Sequence, residues 1–121
     1  DLTVVDGGLT DRELATAYRR AAWLIAPSLE EGFDLPVVEA LALGTPVVAS
    51  DIPAHRDLVE LGARGLVLVP PPSVQGGAWR WPEAARVLAG ERPADVAPPA
   101  TDWDESAERV AGIIRRSIAR R

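Results

Sequence analysis

The sequence predicts an α/β fold in which a parallel sheet is covered by helices on both faces. Short apolar runs recur at Leu2-Thr3-Val4-Val5, Trp23-Leu24-Ile25-Ala26, Val47-Val48-Ala49 and Leu66-Val67-Leu68-Val69. They are unbroken rather than alternating, which is how strands read when both of their faces are buried. Stretches of helical periodicity separate them. The order strand, helix, strand, helix, strand, helix, strand is doubly wound in type.

Each element carries local signals. The first run ends in Asp6-Gly7-Gly8, a turn. Thr10 and Glu13 have capping-box spacing, and Leu14, Ala17, Tyr18 and Ala21 recur on one helical face. Pro27-Ser28 closes the second run. Pro36 suits the first turn of a helix, where no intrahelical N–H is needed, and Gly44 suits its stop. Ser50-Asp51-Ile52-Pro53 turns into a short helix that passes Leu58 and Val59 and ends at Gly62. Pro70-Pro71-Pro72-Ser73 through Gly76-Gly77 breaks the pattern. Trp81-Pro82-Glu83 opens another helix with Ala84, Ala85 and Leu88 on one side, ended by Gly90 and Pro93. Residues 95–100 read as an irregular connection. Asp102 and Glu105 have capping spacing before a closing helix striped by Ala107, Val110, Ile114 and Ile118. Trp79, Trp81 and Trp103 are expected to pack the terminal helices onto the sheet.

The 121 residues suffice for one small domain with its own core. The chain has no Met and starts at Asp1, so a piece of a longer polypeptide is expected, with a product of N-terminal processing as the alternative. All 13 basic residues are Arg, and there is no Cys and one His, which excludes a disulfide scaffold or a Cys-based metal site. The net charge of −5, with acidic residues spread along the chain, argues against a general nucleic-acid surface. Arg115, Arg116, Arg120 and Arg121 stand apart. They read as a solvated cationic helix end that complements its dipole, with contact to anionic lipid as the alternative. No apolar run approaches the roughly 20 residues that span a bilayer.

The stretch with chemistry is Glu31-Gly32-Phe33-Asp34-Leu35-Pro36-Val37-Val38-Glu39. It follows the second strand directly, and ligands of open α/β sheets bind beyond the carboxyl ends of strands. If Pro36 is the first helical residue, the capping position falls on Leu35, which cannot accept a hydrogen bond. The first-turn N–H groups, together with the positive end of the dipole, would then serve an outside anion such as phosphate. Glu31 lies in the loop and Glu39 one turn inside the helix. Ionised carboxylates only accept hydrogen bonds, and sugars are dense in O–H donors. Phosphate at the helix tip with a carboxylate on either flank describes a sugar nucleotide.

Glu31-x7-Glu39 with Gly32-Phe33 and Leu35-Pro36 between, running on through Ala40-Leu41-Ala42-Leu43-Gly44-Thr45-Pro46-Val47-Val48, resembles the signature of retaining GT-B glycosyltransferases. The group is the sucrose-synthase-like and bacterial mannosyltransferase one, glycosyl transferases group 1, and the resemblance covers residues 2–69 well. It implies a Rossmann-like fold and the second half of the C-terminal, donor-binding domain. Residues 1–121 would be a partial domain, with a core over 1–69 and a terminal helical segment over 70–121. It further implies transfer of a hexose from a nucleotide diphosphate sugar to a glycan, lipid or small-molecule acceptor with retention, and no activity from this chain alone.

The resemblance also assigns residues. Glu31 would be catalytic, placing the anomeric carbon and stabilising positive charge on the sugar ring. Gly32, Phe33, Asp34, Leu35, Val37, Val38 and Glu39 would bind the donor. Gly32 permits close approach, Val37 and Val38 offer first-turn N–H groups, and Glu39 accepts from the ribose hydroxyls. Asp34 departs from the usual Gly and is expected to turn outward to a donor-sugar hydroxyl, the alternative being a helix cap. His55 is expected at the surface, and Ser50 in turn chemistry near the cleft. No cofactor and no metal is implied beyond the donor. The partners are that donor, an N-terminal acceptor domain and the first half of this domain; nucleic acid is not among them. The implied location is the cytoplasm, with peripheral attachment to the inner membrane face left open. A nucleotide-sugar epimerase or hydrolase of the same plan, and a non-catalytic sugar-nucleotide module, are the rival readings.

Overall fold

The computed structural model describes residues 4–100. Its elements are α1 (Asp11–Arg20), β1 (Leu24–Ala26), α2 (Leu35–Ala42), β2 (Val47–Ser50), α3 (Pro53–Glu60), β3 (Leu66–Val69), β4 (Ser73–Gln75), β5 (Ala78–Arg80) and α4 (Pro82–Ala89). Strands β1, β2 and β3 form a parallel sheet in that order, with Leu24, Val47 and Leu66 aligned across it. Each crossover runs to the neighbouring strand through one helix. The right-handed rule therefore puts α2 and α3 on the same face.

That face buries Ala26, Val47 and Ala49 beneath Tyr18 of α1, Val37, Val38, Ala40 and Leu41 of α2, and Leu58 of α3. Burying a side chain of the Val or Leu class contributes about 1.5–3 kcal/mol, so this cluster is the main source of stability. Val48 and Val69 face the other way, against Ala84 of α4, with Trp23, Val67 and Trp81 around them. Helices thus cover both faces, as expected. The cover is uneven, because Ile25 on the second face is 49% exposed and, among the described residues, β1 pairs with β2 alone.

The turns that aim the strands follow from glycine. Gly44 adopts φ +82°, its N–H reaches the Leu41 carbonyl, and the Thr45 N–H reaches Ala40. Gly62 repeats this at φ +93°, with Gly62 bonded to Val59 and Ala63 to Leu58. Both are Schellman endings, which satisfy the last helical carbonyls and redirect the chain into the next strand. The capping box of α1 also forms: the Thr10 N–H donates to Glu13 Oε2 at 2.8 Å, and the Glu13 N–H to Thr10 Oγ1 at 3.2 Å. Thr45 Oγ1 donates to the Tyr18 carbonyl at 2.5 Å and fastens the end of α1 to the α2–β2 turn.

Two expectations are corrected. Residues 4 and 5 form no strand, and Val4 and Val5 are 79% and 57% exposed, so the described sheet has three strands. An apolar run becomes a strand only beside a partner, and none of the described residues pairs with it. The break after Pro70 is an antiparallel hairpin, β4–β5, whose Gly76 and Gly77 take φ +59° and +75°. Positive φ at both central residues is what a tight hairpin turn requires. Trp79 therefore sits exposed on β5, and Trp81 holds the N-cap position of α4 without a side-chain cap bond, its ring N–H donating instead to the Pro70 carbonyl at 2.7 Å. The closing helix, Trp103 and the terminal arginines lie outside the described residues.

Candidate functional site

The loop from Pro27 to Asp34 leaves the carboxyl end of β1 and carries Glu31, Gly32 and Phe33 exposed to solvent. Glu31 Oε1 accepts from the Ser28 hydroxyl at 2.8 Å. A Cβ placed on Gly32 would meet nothing within 4 Å, and its φ is not positive. Neither the packing of the described residues nor the backbone conformation requires glycine there. The N–H groups of Gly32 and Phe33 make no hydrogen bond among the described residues. Phe33 is half-exposed rather than packed.

The start of α2 differs from the expected open tip. Asp34 is the cap, with Oδ1 accepting from the Val37 N–H at a long 3.4 Å. The Val38 N–H is committed to the Asp34 carbonyl at 3.3 Å, and the Leu35 N–H to Phe33 at 3.0 Å. Pro36 has no N–H, so the first turn is closed by the protein's own atoms. Val37 and Val38, buried at 0% and 2%, do not present donors to an outside anion. Asp is a favoured N-cap, and its carboxylate takes the donor that an external phosphate would need.

Asp34 does not turn outward either. It is 5% exposed, and Oδ2 lies 2.8 Å from Nε2 of His55, which is fully buried rather than at the surface. His55 Nδ1 lies 2.7 Å from the Ser50 carbonyl. A carbonyl only accepts, so that nitrogen carries hydrogen. The Ser50 hydroxyl sits against the Ala26 carbonyl at 3.4 Å and donates to that of Ser28.

Glu39 faces a different neighbour. Its Oε2 accepts from the Tyr18 hydroxyl at 3.1 Å, and with Tyr18, Leu14 and Leu43 it lines a groove of about 180 Å³ between α1 and α2. The Tyr18 phenol is pushed up to about 12, first by burial, then by the charge and hydrogen bond of Glu39, with Asp34 adding repulsion. Glu31 and Glu39 share no hydrogen-bond partner among the described residues. A larger apolar groove of about 490 Å³ lies beside β1, lined by Ile25, Pro27, Leu29 and Trp79 among others. Among the described residues, no cluster of three or more His, Cys, Asp or Glu side chains could hold a metal ion. No described helix is long and apolar enough to cross a membrane.

The family model for glycosyl transferases group 1 matches residues 3–80. This chain belongs to that family. It is 34% identical over 126 residues to the MMP alpha-(1->4)-mannosyltransferase of Mycolicibacterium hassiacum, covering 99% of this chain and 30% of that protein. It is 36% identical over 93 residues to O-antigen chain mannosyltransferase B of Escherichia coli, which covers 69% of this chain and 24% of that protein. The O-antigen chain mannosyltransferase RfbU of Salmonella typhimurium is 45% identical over 51 residues, 42% of this chain and 14% of that protein. The chain thus spans under a third of these relatives. No solved structure matches.

In this member of the group 1 family, then, the structure brings Glu31, Gly32 and Phe33 together on one exposed loop and holds Asp34 beneath it. Glu39 stands on the α1 side of α2. The residue that sequence reasoning missed is His55. A periodic signal existed, because His55 and Leu58 are three apart on α3 and both are buried.

Proposed function

We propose that this chain supplies part of the donor site of a retaining glycosyltransferase that moves a hexose, mannose by analogy with the named relatives, from a nucleotide diphosphate sugar. The observation that carries this is the Pro27–Asp34 loop: an exposed carboxylate at Glu31 beside a glycine whose missing side chain serves no need of the described fold. A ligand lying against the Gly32 backbone accounts for it. The Gly32 and Phe33 amides donate to the donor's oxygens, Glu31 holds the sugar hydroxyls at the anomeric centre, and Glu39 accepts from the ribose with the oxygen that Tyr18 leaves. Electrostatic stabilisation of the leaving diphosphate is the largest catalytic demand. The closed tip of α2 leaves it to the loop amides and to basic groups of the whole enzyme. Pairing Asp34 with His55 keeps that carboxylate from opposing the diphosphate. The whole enzyme works in the cytoplasm without an obligatory metal, together with an N-terminal acceptor domain and the first half of this domain.

Titration of the full-length protein with uridine, guanosine and adenosine diphosphate sugars identifies the donor. Glu31→Gln is then expected to lower transfer at least about 100-fold while the donor still binds. Full transfer by that variant, or no binding of any nucleotide sugar, refutes the assignment.

A further inference from the structure

An irregular loop that carries function owes its order to tethers rather than to a hydrogen-bonded ladder. In this chain the two tethers of the Pro27–Asp34 loop come from either side of one junction, Ser50 at the end of β2 and His55 in the first turn of α3. At the loop's start the Ser50 hydroxyl donates to the Ser28 carbonyl, and the hydroxyl of Ser28 in turn holds Glu31 at 2.8 Å. At its end His55 Nε2 meets Asp34 Oδ2 at 2.8 Å, and the other oxygen of Asp34 caps α2. The two tethers are joined, because the carbonyl of Ser50 accepts from His55 Nδ1 at 2.7 Å.

Burial makes this arrangement informative. Ser50 and His55 are fully buried, and Asp34 is nearly so. Polar groups in such positions destabilise the fold unless each is paired, so an apolar side chain at 55 would pack beside Leu58 with less demand on geometry. The frame has other supports. α3 is already held by Leu58 and by the Gly62 turn, and β2 by its pairing on both sides. Beyond the cap on α2 and the His55–Ser50 bond, what these three residues hold is the loop: among the described residues no other side chain outside it hydrogen-bonds to it.

We propose that Ser50 and His55 form a clamp that fixes the Glu31 loop at both ends and so sets the donor site. Both are positioning residues, acting through Ser28 and Asp34 and touching no donor atom. The proposal rests on the donor-site reading above. A displacement of about 1 Å in reacting groups can lower the rate about 100-fold, so small slippage of this loop is enough to matter.

The test uses the full-length protein, with steady-state kinetics in both substrates and hydrogen exchange of residues 27–37. His55→Leu cuts both ends of the imidazole bridge, and Ser50→Ala cuts the tether at the loop's start. A shorter amide places its nitrogen where Nδ1 stood and a longer one where Nε2 stood, so His55→Asn keeps the Ser50 bond and His55→Gln keeps the Asp34 bond. The clamp requires that His55→Leu and Ser50→Ala raise the donor KM about tenfold or more, leave the acceptor KM unchanged and speed exchange in the loop. His55→Gln should recover more of the donor KM than His55→Asn, and Asp34→Asn should recover much of what Asp34→Ala loses. A fall in turnover that only tracks the folded fraction, with donor KM and loop exchange as in the unmodified protein, overturns the clamp. If His55→Leu fails to fold, the Asn and Gln pair decides: equal donor KM values for the two overturn it. If the unmodified protein neither binds nor transfers from a nucleotide sugar, the functional reading falls, and loop exchange in the variants alone judges the clamp.

Discussion

Tyr18→Phe tests the join between α1 and the carboxylate of Glu39. The phenol is buried and donates to Glu39 at 3.1 Å, and its ionisation is raised from the ordinary value near 10 to about 12. Burial is the first cause and Glu39 the second, since both disfavour a phenolate there. A group held above its unfolded value binds its proton more tightly in the folded state. Its contribution is therefore complete below about pH 10 and is lost as pH rises through about 12. Tyr18 is the one tyrosine of this chain, so the tyrosinate absorbance of the full-length protein minus that of Tyr18→Phe isolates it. The difference should titrate near pH 12. Glu39→Gln should lower that midpoint without returning it to 10, because burial remains. At pH 7 the Tyr18→Phe protein should be less stable by about 1 kcal/mol, the net worth of a hydrogen bond whose acceptor can find water instead. Its stability should also lose the alkaline decline. A midpoint near 10 in the folded protein, or an unchanged alkaline limb in the variant, refutes the bond.

Three further outcomes are expected. Gly65 takes φ +79°, and a Cβ there would stand 2.8 Å from Val96 Cγ2 and 3.2 Å from the Asp95 carbonyl oxygen, so Gly65→Ala should destabilise by about 1–3 kcal/mol in denaturant titrations. The 121-residue chain by itself should release no nucleotide diphosphate in an acceptor-dependent manner. It should also self-associate through the side of β1 that no described residue pairs, with Ile25→Lys reducing the association. Light scattering that reports a monodisperse monomer at all concentrations would contradict the self-association.

The parallel core was legible because its signals are redundant. Val47-Val48-Ala49 is apolar at every position, follows a glycine that ends a helix, and is buried throughout in β2. Residues 2–5 show the limit: apolarity announces burial but does not name a partner, and Val4 and Val5 find none among the described residues. The hairpin was written in Gly76-Gly77 between Val74 and Trp79, which face each other across β4 and β5. Neighbouring prolines concealed it as a mere break. At the site, the exposed loop was readable from its place after an apolar strand. The state of the α2 tip was not, since Asp34 could cap or point outward and the choice depends on His55, 21 residues away. Pairing across such a separation is a property of the fold, and no local spacing encodes it.

Strands β1, β2 and β3 run parallel and in register, so the segments after Ala26, Ser50 and Val69 all emerge from one end of the sheet. Natural variation can remodel those segments, and with them whatever is bound there, while the interlocked valines and leucines below stay as they are. Chemistry and foldability are thereby placed under separate selection. Ser50 and His55 are where the two meet, so divergence at either position should be answered by change in the other strand's loop.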